Sequence, residues 1–170
     1  MRFLPAIMKN ASTKMITISA LVMAGFIAVM YVNQGFAFGP FQIRFASAFY
    51  AMAFLFPFLV IPIGLANSLS NLFFGGLGVL DIVGGLGVGI LTGALVALVR
   101  KMKLPMWMVI PPIILAPGFI VPLWLSPLTG MPYWLLVGLI CGGQTPPAIL
   151  GFLLIKALSM RKLDGRLEEE

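Results

Sequence analysis

Long apolar stretches, separated by short breaks of polar, glycine or proline residues, dominate the pattern of the chain. A membrane-spanning helix needs roughly 20 predominantly apolar residues. Stretches that approach this length lie at about 15–33, 41–57, 58–74, 80–99, 105–125 and 132–158. Pro57 and Pro62 separate the second stretch from the third, and this boundary is the weakest because no charge marks it. The pattern predicts an all-α integral membrane protein with six transmembrane helices.

The positions of the basic residues predict the orientation of these helices. With the N-terminus in the cytoplasm, six helices place all but one of the 11 Lys and Arg residues inside: Arg2, Lys9, Lys14, Arg100, Lys101, Lys103, Lys156, Arg161, Lys162 and Arg166. Only Arg44 falls near the outer side, in agreement with the positive-inside rule. Five helices would put either the Arg100 cluster or the C-terminal cluster on the wrong side. We therefore expect both termini to be cytoplasmic, with an N-terminal segment 1–14, a transmembrane domain 15–160 and a charged tail 161–170.

Composition narrows the possible functions. The chain is 61% hydrophobic and 9% charged, as expected for a multi-pass protein of the plasma membrane. The net charge of +6 comes from bases that flank apolar runs, so it does not indicate nucleic-acid binding. Histidine is absent and Cys141 is the single cysteine, so we expect no disulfide, metal site or cofactor. One carboxylate inside the spans is too few for acid–base catalysis, and without ATP-binding motifs active transport needs a separate motor.

Small residues and prolines recur at regular spacing in three of the predicted helices. Two ridges of small residues, Ala20–Ala24–Ala28 and Gly85–Gly89–Gly93–Ala97, allow close helix packing. Spacing alone does not decide between packing inside the bundle and docking of a partner. In the fifth helix Pro112, Pro117, Pro122 and Pro127 predict a bent helix that borders a cavity, or a kinked packing helix.

The few polar residues within the spans are the candidate functional residues, because polar groups are costly to bury in a bilayer. They are Gln42, Arg44, Ser47, Asn67, Ser68, Ser70, Asn71, Asp81, Gln144 and Thr145. Several share an outer depth and predict an outward-facing pocket. Arg44 is held there either by an ion pair with Asp81 or by carbonyl groups of the first loop. Trp124, Tyr133 and Trp134 are interfacial anchors, or one of them stacks on a flat ligand.

Two stretches, FGPFQIRFASAFYAMAFLFP and GLANSLSNLFFGGLGVLDIVGGLGVGIL, resemble the QueT family of queuosine-precursor transporters. The likeness covers residues 15–160. Gln42, Arg44, Asn71 and Asp81 match the family pattern, and with Asn67, Trp134 and Gln144 they form the candidate substrate-binding set. Family members usually carry glutamate where Ser47 and Gln144 stand, and a neutral heterocycle suits these two residues as well as a cationic precursor does.

The resemblance implies a substrate-binding S-component of an energy-coupling factor (ECF) transporter. Such proteins are six-helix bundles that capture a vitamin or related metabolite near the outer face. They dock on a membrane scaffold subunit driven by two cytoplasmic ATPases, through an alanine motif that Ala20 and Ala24 fit, with Ala28 as an extension. The alternatives are an S-component for another vitamin or heterocycle, a ligand-free structural or assembly subunit and, least favoured, a membrane enzyme.

Overall fold

The computed structural model of the protein describes residues 13–38, 41–75 and 77–160. Within these residues the chain is helical and contains no strand. The predicted charged tail 161–170 and most of the N-terminal segment 1–14 lie outside the described residues. The same holds for their basic residues, Arg2, Lys9, Arg161, Lys162 and Arg166.

Ten helical segments follow one another along the described chain. They are α1 (Thr13–Ala37), the 3-10 helix η1 (Phe45–Phe54), the short 3-10 helix η2 (Pro57–Leu59), α2 (Val60–Ser70), a π-helical turn η3 (Asn71–Gly75), α3 (Val79–Lys101), the 3-10 helix η4 (Met106–Val109), α4 (Ile110–Ile120), α5 (Pro122–Thr129) and α6 (Tyr133–Met160). Five continuous stretches are long and apolar enough to cross a membrane: Thr13–Ala37, Pro57–Gly75, Val79–Lys101, Met106–Thr129 and Tyr133–Met160. The prediction of a multi-pass all-α membrane protein is confirmed.

The predicted second helix at residues 41–57 is present, but as the ten-residue 3-10 helix η1, which is shorter than the five long spans. This segment is rich in small residues, and its Ala46, Ala51 and Ala53 are fully buried. It packs closely on α6, because Gly143 and Gly151 lack the Cβ that would collide with the carbonyls of Gln42 and Ala48. A narrow 3-10 helix, which rises about 2.0 Å per residue, therefore replaces a full α-helix inside the bundle.

The helix η1 nevertheless runs between the same two ends of the bundle as α3. Arg44, just before η1, reaches Asn71, whose amide donates to the Asp81 carbonyl at the start of α3. At the other end, Arg100 donates to the carbonyls of Phe54 and Leu55, where η1 finishes. From Asp81 to Arg100, α3 rises about 28 Å at about 1.5 Å per residue. The helix η1 is thus short and buried, but it carries the chain from the end with Arg44 back to the end with Arg100.

Both termini of the described chain lie at this same end. The helix α6 runs parallel to η1, because Gly143 lies at Gln42 and Gly151 at Ala48. The helix α1 is antiparallel to η1, since the amide of Phe45 donates to Asn33 and Gly25 lies against Phe49. Thr13 and Met160 therefore lie with Arg100. We call this the basic end, with Lys14, Arg100, Lys101, Lys103 and Lys156, and the opposite end, with Arg44 and Asp81, the site end.

The glycine ridge of α3 packs inside the bundle against α2. A Cβ at Gly89 would lie 2.8 Å from the Cα of Gly64, and one at Gly93 would lie 3.4 Å from the Cα of Val60. A Cβ at Gly85 would collide with the Asn71 amide. The internal-packing interpretation of this ridge is confirmed.

The proline-rich stretch forms two consecutive α-helical segments that meet at Val121. Pro117 lies in the interior of α4 and Pro122 in the first turn of α5, while Val121 between them keeps right-handed helical backbone angles. Pro117 and Val121 border a buried cavity, as predicted for this helix.

A matched pair of variants on α3 tests the close packing of the two helices. Gly89→Ala places a methyl group 2.8 Å from the Cα of Gly64, and we expect it to destabilise the fold by roughly 1–3 kcal/mol through overpacking. Gly87→Ala meets no atom within 4 Å and should be neutral or slightly stabilising, because alanine favours helix. Thermal unfolding in detergent measures both. Equal melting temperatures for the two variants would contradict the close approach at Gly89.

Candidate functional site

Arg44 lies at the centre of the site end, 6% exposed, between α1 and η1. Its Nε donates to the carbonyl of Ala37 at 3.0 Å, and Ala37 is the last residue of α1. Its Nη1 donates to the Oδ1 atoms of Asn71 at 3.2 Å and Asn67 at 3.4 Å. The guanidinium also lies 4.8 Å from the ring centroid of Phe38. The cation is thus held by neutral dipoles and one aromatic face.

Of the two predicted partners of Arg44, the structure selects the carbonyl. The Ala37 carbonyl stands where α1 ends and the first loop begins, and a cation is favoured there because the C-terminal end of a helix carries partial negative charge. Within the described part of the chain no hydrogen bond or salt bridge joins Arg44 to Asp81, and the two charges attract each other without direct contact. The prediction of a direct Arg44–Asp81 pair is wrong.

Asn67 and Asn71 connect Arg44 to α3. They lie one helical turn apart, so both side chains share one face. Each accepts from Arg44 through Oδ1 and donates through Nδ2 at 2.8 Å, Asn67 to the carbonyl of Gly85 and Asn71 to that of Asp81. Because the Asn71 amide occupies the space beside Gly85, a side chain at that position would displace it.

Asp81 is 2% exposed, and its two carboxylate oxygens have different surroundings. Oδ1 accepts from the indole Nε1 of Trp124 at 3.3 Å. The indole lies against Gly84, where a Cβ would meet the ring at 2.8 Å. Oδ2 lies near Gly75 and has no hydrogen-bond partner among the described residues. One carboxylate oxygen therefore remains available.

Three buried polar atoms around the same cavity lack a hydrogen-bond partner within the described residues: Gln42 Nε2, Asp81 Oδ2 and Gln144 Oε1. Gln42 and Gln144 are each 1% exposed. An unsatisfied buried polar atom costs about 1–3 kcal/mol, so three in one place need an explanation. They present one donor and two acceptors to a ligand.

The cavity brings together all the predicted substrate-binding residues except Trp134. Its lining consists of Gln42, Arg44, Ser47, Tyr50, Asn67, Asn71, Asp81, Gly85, Val88, Pro117, Val121, Trp124 and Gln144. Ser47 and Gln144 both face it. The cavity measures about 10 Å³, about the space that one water molecule needs, so a larger ligand requires its walls to move.

The tryptophan of the site is Trp124. Trp134 is 73% exposed and packs edge-on against Tyr133, with ring centroids 5.1 Å apart, away from the cavity. The structure distinguishes Trp124 because its indole packs on Gly84, where a side chain would leave no room for the ring.

The chemistry of the lining suits binding better than catalysis. Asp81 is the one carboxylate in it, and acid–base catalysis normally uses a pair of tuned groups. No group of three side chains able to hold a metal ion occurs in the described ranges. Amide, carboxylate and indole groups around one small space are typical of a site that recognises a polar ring.

The alanine ridge of α1 lies on the surface. Ala20, Ala24 and Ala28 are all exposed. In the 18-residue apolar stretch of α1, only 17% of the residues are buried. Ala20 borders a shallow groove with Met23 and Phe58. The ridge therefore remains open to contact from outside the chain.

Comparison with known proteins yields one match. A family model described as "QueT transporter" matches residues 16–160, which include the whole cavity and the alanine ridge. No curated protein and no solved structure gives a significant match. The resemblance found in the sequence is confirmed.

Replacing Arg44 tests the network at the site end. We expect Arg44→Ala to lower the melting temperature, because it leaves the Ala37 carbonyl and two amide oxygens without their donor, at a cost of about 1–3 kcal/mol. Arg44→Lys keeps the charge but not the planar, forked donors, so its melting temperature should be intermediate. Thermal unfolding in detergent is the measurement, with the exposed Lys156→Ala as control. A wild-type melting temperature for Arg44→Ala would show that the network does not stabilise the fold.

Proposed function

The chain belongs to the QueT transporter family, and we propose that it is the substrate-binding S-component of an ECF-type uptake transporter. It is a multi-pass membrane protein. The observation that carries the proposal is the set of three unpaired polar atoms on one buried cavity, within a chain of a transporter family.

The charge distribution supports capture of the substrate from outside. The basic end holds all the Lys and Arg residues of the described chain except Arg44. Since positively charged segments remain in the cytoplasm, we infer that the basic end is inside and the site end outside. Both termini then start from the cytoplasmic side, and the cavity opens toward the outer face.

The unpaired atoms favour a flat heterocycle with a guanine-like edge, such as a deazapurine queuosine precursor. That edge carries two N–H donors and one carbonyl acceptor. Asp81 Oδ2 and Gln144 Oε1 would accept the donors, and Gln42 Nε2 would donate to the carbonyl. The indole of Trp124 offers the aromatic wall on which a ring can stack.

The charge of the lining favours a neutral substrate. Arg44 and Asp81 cancel, and Ser47 and Gln144 add no charge. A precursor with an aminomethyl cation would face the guanidinium of Arg44 with one carboxylate to offset it. Another neutral vitamin or heterocycle with the same donor and acceptor pattern is the alternative substrate.

Entry of the substrate requires the tryptophan to move. Trp124 Nε1 donates a hydrogen bond to one carboxylate oxygen of Asp81, and its indole ring packs against Gly84. The boundary between α4 and α5 lies at Val121, three residues before Trp124, and Pro122 donates no backbone hydrogen bond across it, so α5 can shift without unfolding α4. We propose that displacement of this indole opens the cavity.

The exposed alanine ridge supports docking on a scaffold subunit that carries two cytoplasmic ATPases. Without a hydrophobic driving force between helices in lipid, association depends on close backbone approach at small residues. Ala20, Ala24 and Ala28 offer such a surface on the least buried of the spans. A ligand-free structural subunit would have no reason to leave three buried polar atoms unpaired, which disfavours that alternative.

Substitutions of the unpaired groups test the binding site. In titrations with 7-deazaguanine, each of Gln42→Leu, Asp81→Asn and Gln144→Leu should lower the affinity about five- to tenfold, because each removes a hydrogen bond of about 1–1.5 kcal/mol. Trp134→Ala is the control and should bind as wild type does. Wild-type affinity in all three folded variants, or equal binding of 7-deazaadenine, would contradict the proposed recognition.

A bulky residue on the alanine ridge tests docking separately from binding. We expect Ala24→Trp to abolish uptake in cells that hold the scaffold and ATPases, while the purified variant keeps its substrate affinity. Leu153→Trp, at an exposed position of α6, is the matched control and should keep uptake. Uptake by Ala24→Trp at the wild-type rate would show that this ridge is not the docking surface.

A further inference from the structure

We propose that a groove at the basic end binds one anionic phospholipid, with an acyl chain in the groove and the phosphate at Lys101. The groove lies between the start of the second long span and the end of α3. Its volume is about 540 Å³, and its lining consists of Pro57, Val60, Ala94, Ala97, Leu98, Arg100 and Lys101. The cavity at the site end shares none of these residues.

The groove has an apolar length and a cationic end. Ala94, Ala97, Leu98 and Lys101 follow the i, i+3, i+4, i+7 spacing of one helix face. From Ala94 to Lys101 the helix rises about 10 Å at about 1.5 Å per residue. The two alanines leave a depression beside Val60, and the lysine closes it at the level of the membrane surface. A phospholipid matches this arrangement, because its acyl chain can lie along the apolar residues while its phosphate lies at Lys101.

Lys101 is the cation that this groove offers to a ligand. The Lys101 side chain is exposed and makes no hydrogen bond or ion pair there. Arg100 is fixed beside it, because its guanidinium donates to the carbonyls of Phe54 and Leu55. Asp81, the one acidic residue among those described, lies at the opposite end. An anion is therefore the complementary occupant, and each Lys or Arg near an anionic headgroup contributes about 1 kcal/mol of attraction.

The same features argue against the other occupants. A second copy of the chain, packed through this groove, would bring its own Lys101 and Arg100 against these cations. A free phosphate would gain nothing from the apolar length of the groove. A phospholipid uses both parts, and the exposed Ala94 and Leu98 face the region that lipid fills.

Native mass spectrometry of the full chain, with phosphatidylglycerol or phosphatidylcholine of identical acyl chains, tests the proposal. We expect one phosphatidylglycerol to be retained in preference to phosphatidylcholine. Lys101→Gln should weaken this retention about fivefold, the effect of removing one lysine–headgroup attraction. Ala97→Trp should abolish it by filling the groove. Lys156→Gln, an exposed cation of the same end on α6, is the control and should retain lipid as wild type does.

Several outcomes would overturn the proposal. Lys101→Gln that retains as much phosphatidylglycerol as wild type, or Lys156→Gln that loses as much, would show that any surface cation suffices. Displacement of the lipid by millimolar inorganic phosphate would assign the site to the phosphate alone. Unchanged retention in Ala97→Trp would exclude the groove. Melting temperatures of all variants, measured without added lipid, separate these results from loss of folding.

Discussion

Burial of the Arg44 charge without a direct carboxylate partner is the constraint on which the site end depends. An ionised group inside a protein is costly unless its donors are all satisfied. Here the acceptors come from three elements: the Ala37 carbonyl of α1, Asn67 of α2 and Asn71 of η3. Asparagine suits this position because one side chain both accepts from a cation and donates to a carbonyl. Aspartate could hold Arg44, but it would repel the α3 carbonyls that the two amides now bind.

This arrangement leaves Asp81 free for another task. If Arg44 formed a bidentate pair with Asp81, both carboxylate oxygens would be occupied. Instead the backbone carbonyl of Asp81 takes part in the network, while its side chain binds Trp124 through one oxygen and keeps the other unpaired. The two asparagines therefore hold Arg44 in place, and the carboxylate of Asp81 stays available to bind a ligand.

Much of this site could be predicted from the sequence, because a polar residue in an apolar span must have a use. That reasoning identified Gln42, Arg44 and Asp81, but it could not separate Trp124 from Trp134, since both sit near the membrane interface. The amide network forms because the side chains of Asn67 and Asn71 both face α3. The spacing of the two residues in the sequence does not show which neighbouring helix they face. The second helix was predicted, but its 3-10 geometry was not, because hydropathy measures apolar length and not the rise of the backbone. The buried alanines of η1, pressed against Gly151 of α6, were the available signal.

The helix α1 links the site to the surface proposed for docking. Its C-terminal carbonyl at Ala37 holds Arg44, and its exposed alanines lie farther toward the basic end. It is also the least buried of the spans, so it can shift at the lowest cost in packing. Because the hydrogen bond from Arg44 to Ala37 joins this helix to Asn67 and Asn71, a displacement of α1 would reach α3 and the carboxylate of Asp81. Three polar atoms of the cavity have no partner among the described residues, so in the proposed transport cycle a ligand that satisfies them gains free energy, and a movement of α1 that separates them would release it. Capture and release can therefore use the same hydrogen bonds.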